Sequence, residues 1–221
     1  MIRALLFDFD GLLFDTETPD FETWADLYRE HGLTLDHARW LQGVGTYGAF
    51  DACDELVGLL GGAGDRAGLQ ARFRERYHAH CAQAPLLPGV VALLDAARAV
   101  NLPAAVASSS DRAWVEGWLA HHGIRDFFRC IRTRDDVLHV KPAPDLFLSA
   151  AACLGVPPAE ALVFDDSPNG MRAAAAAGMR CVAVPIALNA AIELPPVTLK
   201  LRSLDELSLD ALLQRVDAAS R

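Results

Sequence analysis

No apolar run in the 221-residue chain approaches the roughly 18 residues that a membrane-spanning helix needs. The N-terminus lacks a charged segment followed by a cleavable apolar one, so no signal peptide is expected. The five cysteines, Cys53, Cys81, Cys130, Cys153 and Cys181, are scattered and form no C-x-x-C pair. That spacing speaks against a zinc site. It predicts reduced, mostly core thiols in a cytoplasmic protein, with no disulfide frame. Basic residues are in deficit, 20 Lys+Arg against 29 Asp+Glu, for a formal net charge of -9. Phosphate backbones are held by an excess of Lys and Arg, so neither nucleic acid nor membrane is an expected partner. Internal repeats and low-complexity segments are also missing. What is present is ordinary for a soluble protein: 52% hydrophobic and 22% charged residues, enough for one α/β domain or two small ones.

The chain is organised around its first stretch. An apolar run from Ile2 to Phe7 reads as a buried strand and delivers Asp8 and Asp10, followed at once by Gly11. From Thr16 to about Pro85 the pattern is all helical, with Phe21, Trp24, Ala25 and Tyr28 at helical spacing and a breaker at Gly61-Gly62-Ala63-Gly64. From Val90 onward helices alternate with short apolar strands. These strands end in polar tips, at Ser108-Ser109 and Asp165-Asp166. Alternation predicts an α/β fold, a Rossmann-like three-layer parallel sheet with an inserted α-helical cap domain. The expected core is residues 1-15 and 87-221, the cap residues 16-86, with hinges near Phe14-Thr16 and Pro85-Pro88. In such sheets ligands gather beyond the carboxyl ends of the strands, where all three polar tips fall.

Carboxylates are costly to bury unless they are paired, protonated or bound to a cation. Two like charges about 4 Å apart repel by roughly 4 kcal/mol at an effective dielectric near 20. The cluster Asp8, Asp10, Asp165 and Asp166 therefore asks for a cation, and all-oxygen ligands select a hard ion such as Mg²⁺. Asp8 can attack phosphorus to form an aspartyl phosphate. Asp10 can protonate the leaving oxygen and then deprotonate water, or serve as a turn residue before Gly11. Ser108 and the backbone N–H of Ser109 suit a phosphate at a helix start; Ser109 or Ser110 equally suits the N-cap of that helix. Lys141 is held out of helical geometry by Pro142. There it is either an ordinary surface lysine or a cation aimed at Asp8 and a phosphate. Ser167 reads as an N-cap and Pro168 as the first helical residue, which leaves the paired acids before them unexplained.

Four segments, Asp8-Phe9-Asp10-Gly11-Leu12-Leu13-Phe14-Asp15-Thr16-Glu17, the Ser108 loop, Lys141-Pro142-Ala143-Pro144-Asp145, and Asp165-Asp166-Ser167 with Gly170, resemble the ordered motifs of the haloacid dehalogenase superfamily. The subgroup resembled carries a helical cap, as in β-phosphoglucomutase and sugar-phosphate phosphatases. The resemblance implies Asp8 as nucleophile, Asp10 as acid/base, and Ser108 and Lys141 on the phosphoryl group. It implies Mg²⁺ held by Asp8, the Asp10 carbonyl and Asp166, with Asp165 as a supporting ligand. The phosphoglucomutases carry a cap histidine where this chain has Asp20, and a cap arginine where Thr46 aligns; both departures weigh against a mutase. Asp10 weighs against dehalogenation. The expected activity is a Mg²⁺-dependent phosphatase for a small phosphorylated metabolite, a sugar or polyol phosphate. Candidate substrate contacts are Ser109, Asp20, Gln42, Gly43 and Thr46. Alternatives are a phosphomutase and a non-catalytic metabolite-binding member of the fold. A monomer or weak homodimer is expected. Trp24 and Tyr28 read as cap core; Trp114 and Trp118 read as core or interface.

Overall fold

The computed structural model describes residues 1–41, 50–62 and 64–219. Within these the chain divides into two compact units, residues 1–14 with 85–221 and residues 15–84.

The first strand, β1 (Ala4–Phe7), is buried at every position, as an interior strand of a parallel sheet must be. Four helices follow: α1 (Glu17–Glu30), α2 (His37–Leu41), α3 (Ala52–Leu59) and α4 (Arg66–Cys81). Asp51 caps α3 through the Asp54 N–H, and Asp65 caps α4 through the Gly68 N–H. Trp24, Leu27, Tyr28, Trp40, Cys53, Leu56 and Leu69 give the helical unit its own core. Trp24 stacks on Phe73, with ring centroids 4.5 Å apart, and the Tyr28 hydroxyl donates to the Ala52 carbonyl at 2.9 Å. Both aromatic residues are thus core, as the helical spacing predicts.

The second part of the α/β unit runs α5 (Val90–Ala99), β2 (Ala104–Ala107), α6 (Arg112–His121), β3 (Phe128–Arg132), α7 (Asp145–Leu154), β4 (Ala161–Asp165), α8 (Pro168–Ala176), β5 (Arg180–Ala183), β6 (Leu199–Lys200) and α9 (Leu209–Ala218). All six strands are parallel, in the order β3-β2-β1-β4-β5-β6. This is the Rossmann-like α/β architecture expected from the alternation. β1 lies at the sheet's centre, where the strand order reverses between β1 and β4. Loops on either side of such a reversal diverge and leave a crevice. Leu6, Ala105, Phe147, Ala150, Val163, Met171 and Ala174 belong to the core packed around this sheet.

Three local expectations are corrected. The cap of α6 is Asp111, whose side chain accepts from the Trp114 N–H at 2.8 Å; neither Ser109 nor Ser110 fills that place. The stretch from Leu204 to Val216 reads in sequence as a last helix, but the helix begins at Leu209, capped by Ser208, and residues 204–208 precede it as turn and loop. Cys130 on β3 and Cys153 on α7 form a disulfide, with Cα atoms 6.4 Å apart. The expectation of reduced thiols fails there because helix–sheet packing joins cysteines 23 residues apart, which no local spacing announces. Cys53, Cys81 and Cys181 are free and buried.

Candidate active site

Asp8, Ser108, Asp165 and Asp166 are delivered by the ends of strands. Asp8 follows β1, and its N–H donates to the Phe164 carbonyl at 3.0 Å, continuing the ladder with β4. Asp165 closes β4, and Asp166 follows it. Ser108 follows β2, its N–H bonded to the Arg132 carbonyl at 2.9 Å. The loop before α7 brings in Lys141, whose bond to Pro142 is cis.

Two glycines fit the chain around the acids. After Asp10 the backbone turns back on itself. The Gly11 N–H donates to the Phe14 carbonyl, and Gly11 takes a positive φ of 72°. A Cβ at Gly11 would come within 2.5 Å of an Asp166 oxygen. A Cβ at Gly170, in the first turn of α8, would strike the Asp165 carboxylate. The helix starting with Ser167 and Pro168 therefore closes over an acid that leaves no room for a side chain.

The Lys141 ammonium lies between two carboxylates, 2.6 Å from Asp8 Oδ1 and 2.9 Å from Asp165 Oδ2. It also lies 4.9 Å from the centre of the Phe147 ring. Asp165 is engaged at both oxygens: Oδ1 accepts from the Ser167 N–H at 2.9 Å and from the Ser167 hydroxyl at 2.8 Å. The side chains of Lys141, Asp8 and Asp165 are 4%, 11% and 0% exposed, so water contributes little to their stabilisation. Burial pushes the Asp8 carboxyl up to about 7, against the opposing pull of Lys141. Burial alone would lower Lys141, but the Asp165 and Asp8 carboxylates outweigh it and hold the ammonium above the ordinary lysine value.

Asp10 points its carboxylate into a second group. Its Oδ2 accepts from the Ser110 hydroxyl at 2.6 Å and, more weakly, from the Ser108 hydroxyl at 3.4 Å. Its Oδ1 accepts from the Trp114 indole N–H at 2.8 Å. Ser108 is buried, and Ser109 is exposed on the same loop. The structure thus joins Asp8, Lys141, Asp165 and Asp166 in one cluster and Asp10 with Ser108 in an adjoining one. Ser110 and Trp114 are contacts that sequence reasoning missed. Ser110 carries no sequence signal beyond capping, and a tryptophan at helical spacing none beyond packing. Asp20 lies half-buried in the first turn of α1, and Gln42, Gly43 and Thr46 fall outside the described residues.

The chain matches the haloacid dehalogenase-like hydrolase family over residues 2–178. It is a member of that family. The protein named "Putative phosphatase YhcW" of Bacillus subtilis (strain 168) is 41% identical to this hydrolase over 218 residues, 99% of each chain. Fructose-1-phosphate phosphatase YqaB of Escherichia coli (strain K12) is 34% identical over 187 residues, 82% of this chain and 95% of that one. Among solved structures, CbbY from Rhodobacter sphaeroides in complex with phosphate has a TM-score of 0.75 at 29% identity, covering 96% of this chain and 99% of the other.

A divalent cation fits this hydrolase's acidic corner. Asp8, Asp165 and Asp166 are all buried, and each offers an oxygen within 4.8 Å of the others. One ammonium against three carboxylates leaves a formal excess of negative charge. The donor set is oxygen alone, which favours magnesium over softer metals. Among the described residues no helix is long and apolar enough to cross a membrane.

Proposed function

We propose that this enzyme, a phosphoric monoester hydrolase, works on a sugar or polyol phosphate through an aspartyl-phosphate intermediate with Mg²⁺ as cofactor. The observation that carries the reading is the buried Asp8–Lys141–Asp165 chain at the strand reversal, with Asp166 beside it. A carboxylate held 2.6 Å from a fixed ammonium is oriented, and the ammonium offsets the charge of an arriving phosphoryl group. Asp8, Asp166 and the Asp10 carbonyl would hold the cation, with Asp165 in support. When bound, the ion draws phosphate oxygens toward Asp8 and neutralises charge that builds up on them.

The chain's own residues account for the steps. Asp8 attacks phosphorus, and the bond to the leaving oxygen breaks while Asp10 gives that oxygen its proton. Asp10 then takes a proton from water, whose oxygen attacks the phosphoryl group. The P–O bond to Asp8 breaks, phosphate leaves, and the Asp8 carboxylate is restored. Lys141 and Ser108 hold phosphoryl oxygens, and the exposed Ser109 loop assists. Selection of the leaving group is assigned to the helical unit, with Asp20, Gln42, Gly43 and Thr46 as its candidate contacts.

The sugar-phosphate class is supported by YqaB, whose name states fructose 1-phosphate, and by CbbY, solved with phosphate and, as a mutant, with xylulose 1,5-bisphosphate. The test is phosphate release from sugar phosphates, polyol phosphates, nucleotides and phosphoglycolate, with magnesium and with EDTA. Turnover confined to nucleotides, or equal with and without chelator, would refute the reading. Asp8→Asn should abolish turnover while substrate still binds; activity near wild type would remove Asp8 as nucleophile.

A further inference from the structure

Asp10 is the one acid of the site that neither faces Lys141 nor joins the three-carboxylate cluster among the described contacts. Its side chain is held from the other side, by α6 and the loop before it. We propose that Trp114 is a positioning residue for Asp10. Its indole N–H anchors Oδ1 and leaves Oδ2, among the Ser108 and Ser110 hydroxyls, as the oxygen that exchanges a proton with the leaving group and with water. The inference rests on the acid/base reading of Asp10 given above.

The geometry supplies the reason. An indole N–H donates and cannot accept, so the oxygen it holds at 2.8 Å is fixed as an acceptor. A serine hydroxyl can donate or accept, so Ser110, at 2.6 Å from Oδ2, tolerates either state of that oxygen. Trp114 is held both at its backbone and at its ring. Asp111 caps α6 by accepting from the Trp114 N–H of the backbone, and Arg134 braces Asp111 at 2.9 Å. The Trp114 ring also meets the buried Trp118 ring edge-on, centroids 5.5 Å apart, and Trp118 packs 5.3 Å from Phe14 at the end of the Asp10 turn. A carboxylate on a turn is free to rotate about its side-chain bonds, and this N–H selects one setting.

The test separates positioning from packing by the leaving group. A sugar alkoxide must be protonated as it departs, whereas p-nitrophenolate leaves without help. Trp114→Phe keeps a ring and deletes the donor. Phosphoenzyme formation, measured by quench in a single turnover, should fall about 10–100-fold from fructose 1-phosphate and less than about 3-fold from p-nitrophenyl phosphate, with little change in KM for either. An equal loss with both esters, or no loss with either, would overturn the proposal. A second measurement needs no turnover. The Trp114 indole N–H resonance, identified by its disappearance in Trp114→Phe, should move upfield in a folded Asp10→Ala protein. If it stays in place, the bond does not exist in solution and the proposal fails. A wild type that hydrolyses neither ester refutes the substrate reading instead, and the resonance then decides the inference.

Discussion

Both units carry exposed ion pairs, Arg98–Asp95 among those of the α/β unit, but among the described residues only the α/β unit also buries a charged cluster. In the α/β unit, Lys141, Asp8 and Asp165 meet with side chains no more than 11% exposed. In the helical unit, pairs such as Arg76–Glu30, with both side chains 38% exposed, lie on the surface, and Arg72 reaches the same glutamate. Exposed pairs exchange one set of water contacts for another and contribute little. Buried charges lose hydration outright, and only near-ideal partners make up for it. The helical unit can therefore drift in charge pattern at small cost, whereas each charge at the strand tips needs a reason. In the reading proposed above, that reason is chemical work on phosphate.

The comparison breaks most sharply at Lys141. Lys141→Met strands two buried carboxylates and should lower metal-free stability by about 3–5 kcal/mol. Chemical denaturation in EDTA checks the loss, and added magnesium should recover part of it. A destabilisation no greater than that of a surface mutant would mean the corner is not the charged cluster described here.

The pH dependence of the apo protein follows from Asp8. Folded, its carboxyl keeps a proton up to about pH 7 because of burial; unfolded, it releases it near pH 4. Between these limits the folded state binds more protons, so Asp8's contribution to stability is fully present below about pH 4 and is lost as pH rises through about 7. In EDTA, the wild-type Tm should decline over this range relative to Asp8→Asn, which has no proton to lose. Parallel Tm–pH curves for the two proteins would sink the idea. Magnesium should lift wild type most near and above pH 7, where Asp8 is ionised.

The disulfide sharpens the contrast by separating what holds the α/β unit from what it does. Opening the Cys130–Cys153 link by Cys153→Ser should cost about 3 kcal/mol for a loop of this length. Turnover at 25 °C should survive, because neither sulfur bonds a site residue among the described contacts. Equal denaturation midpoints for wild type with and without reductant would argue against the link in solution. The smallest effect belongs to the helical surface. Arg76→Ala should change stability by less than about 1 kcal/mol, and less still in high salt. A larger loss by thermal melting would show that the surface pairs form a cooperative network.

Much of the fold and half of the site could be read from the chain. β1 announces itself because an interior parallel strand must be apolar on both faces, and Asp8 stands out because it follows directly. Asp165 and Asp166 are legible for the same reason at the tip of β4. Lys141 was visible only through its neighbours, since a lysine alone says nothing about burial. Trp114 was not legible as a partner of Asp10. The bond spans 104 positions, and helical spacing records which face of α6 is apolar, not where one N–H points. Asp111 is obscured as the cap because three serines stand closer to the strand. The disulfide was hidden by an odd cysteine count and by partners on different elements.

Gly170 offers a handle of a different kind. It is an uncharged position where the smallest possible enlargement, one methyl group, would press on the carboxylate that braces Lys141. Gly170→Ala would thus shift the ammonium while every ionisable group remained in the chain. It gives the experimenter a purely steric dial on an electrostatic device, so that distance and charge can be varied one at a time.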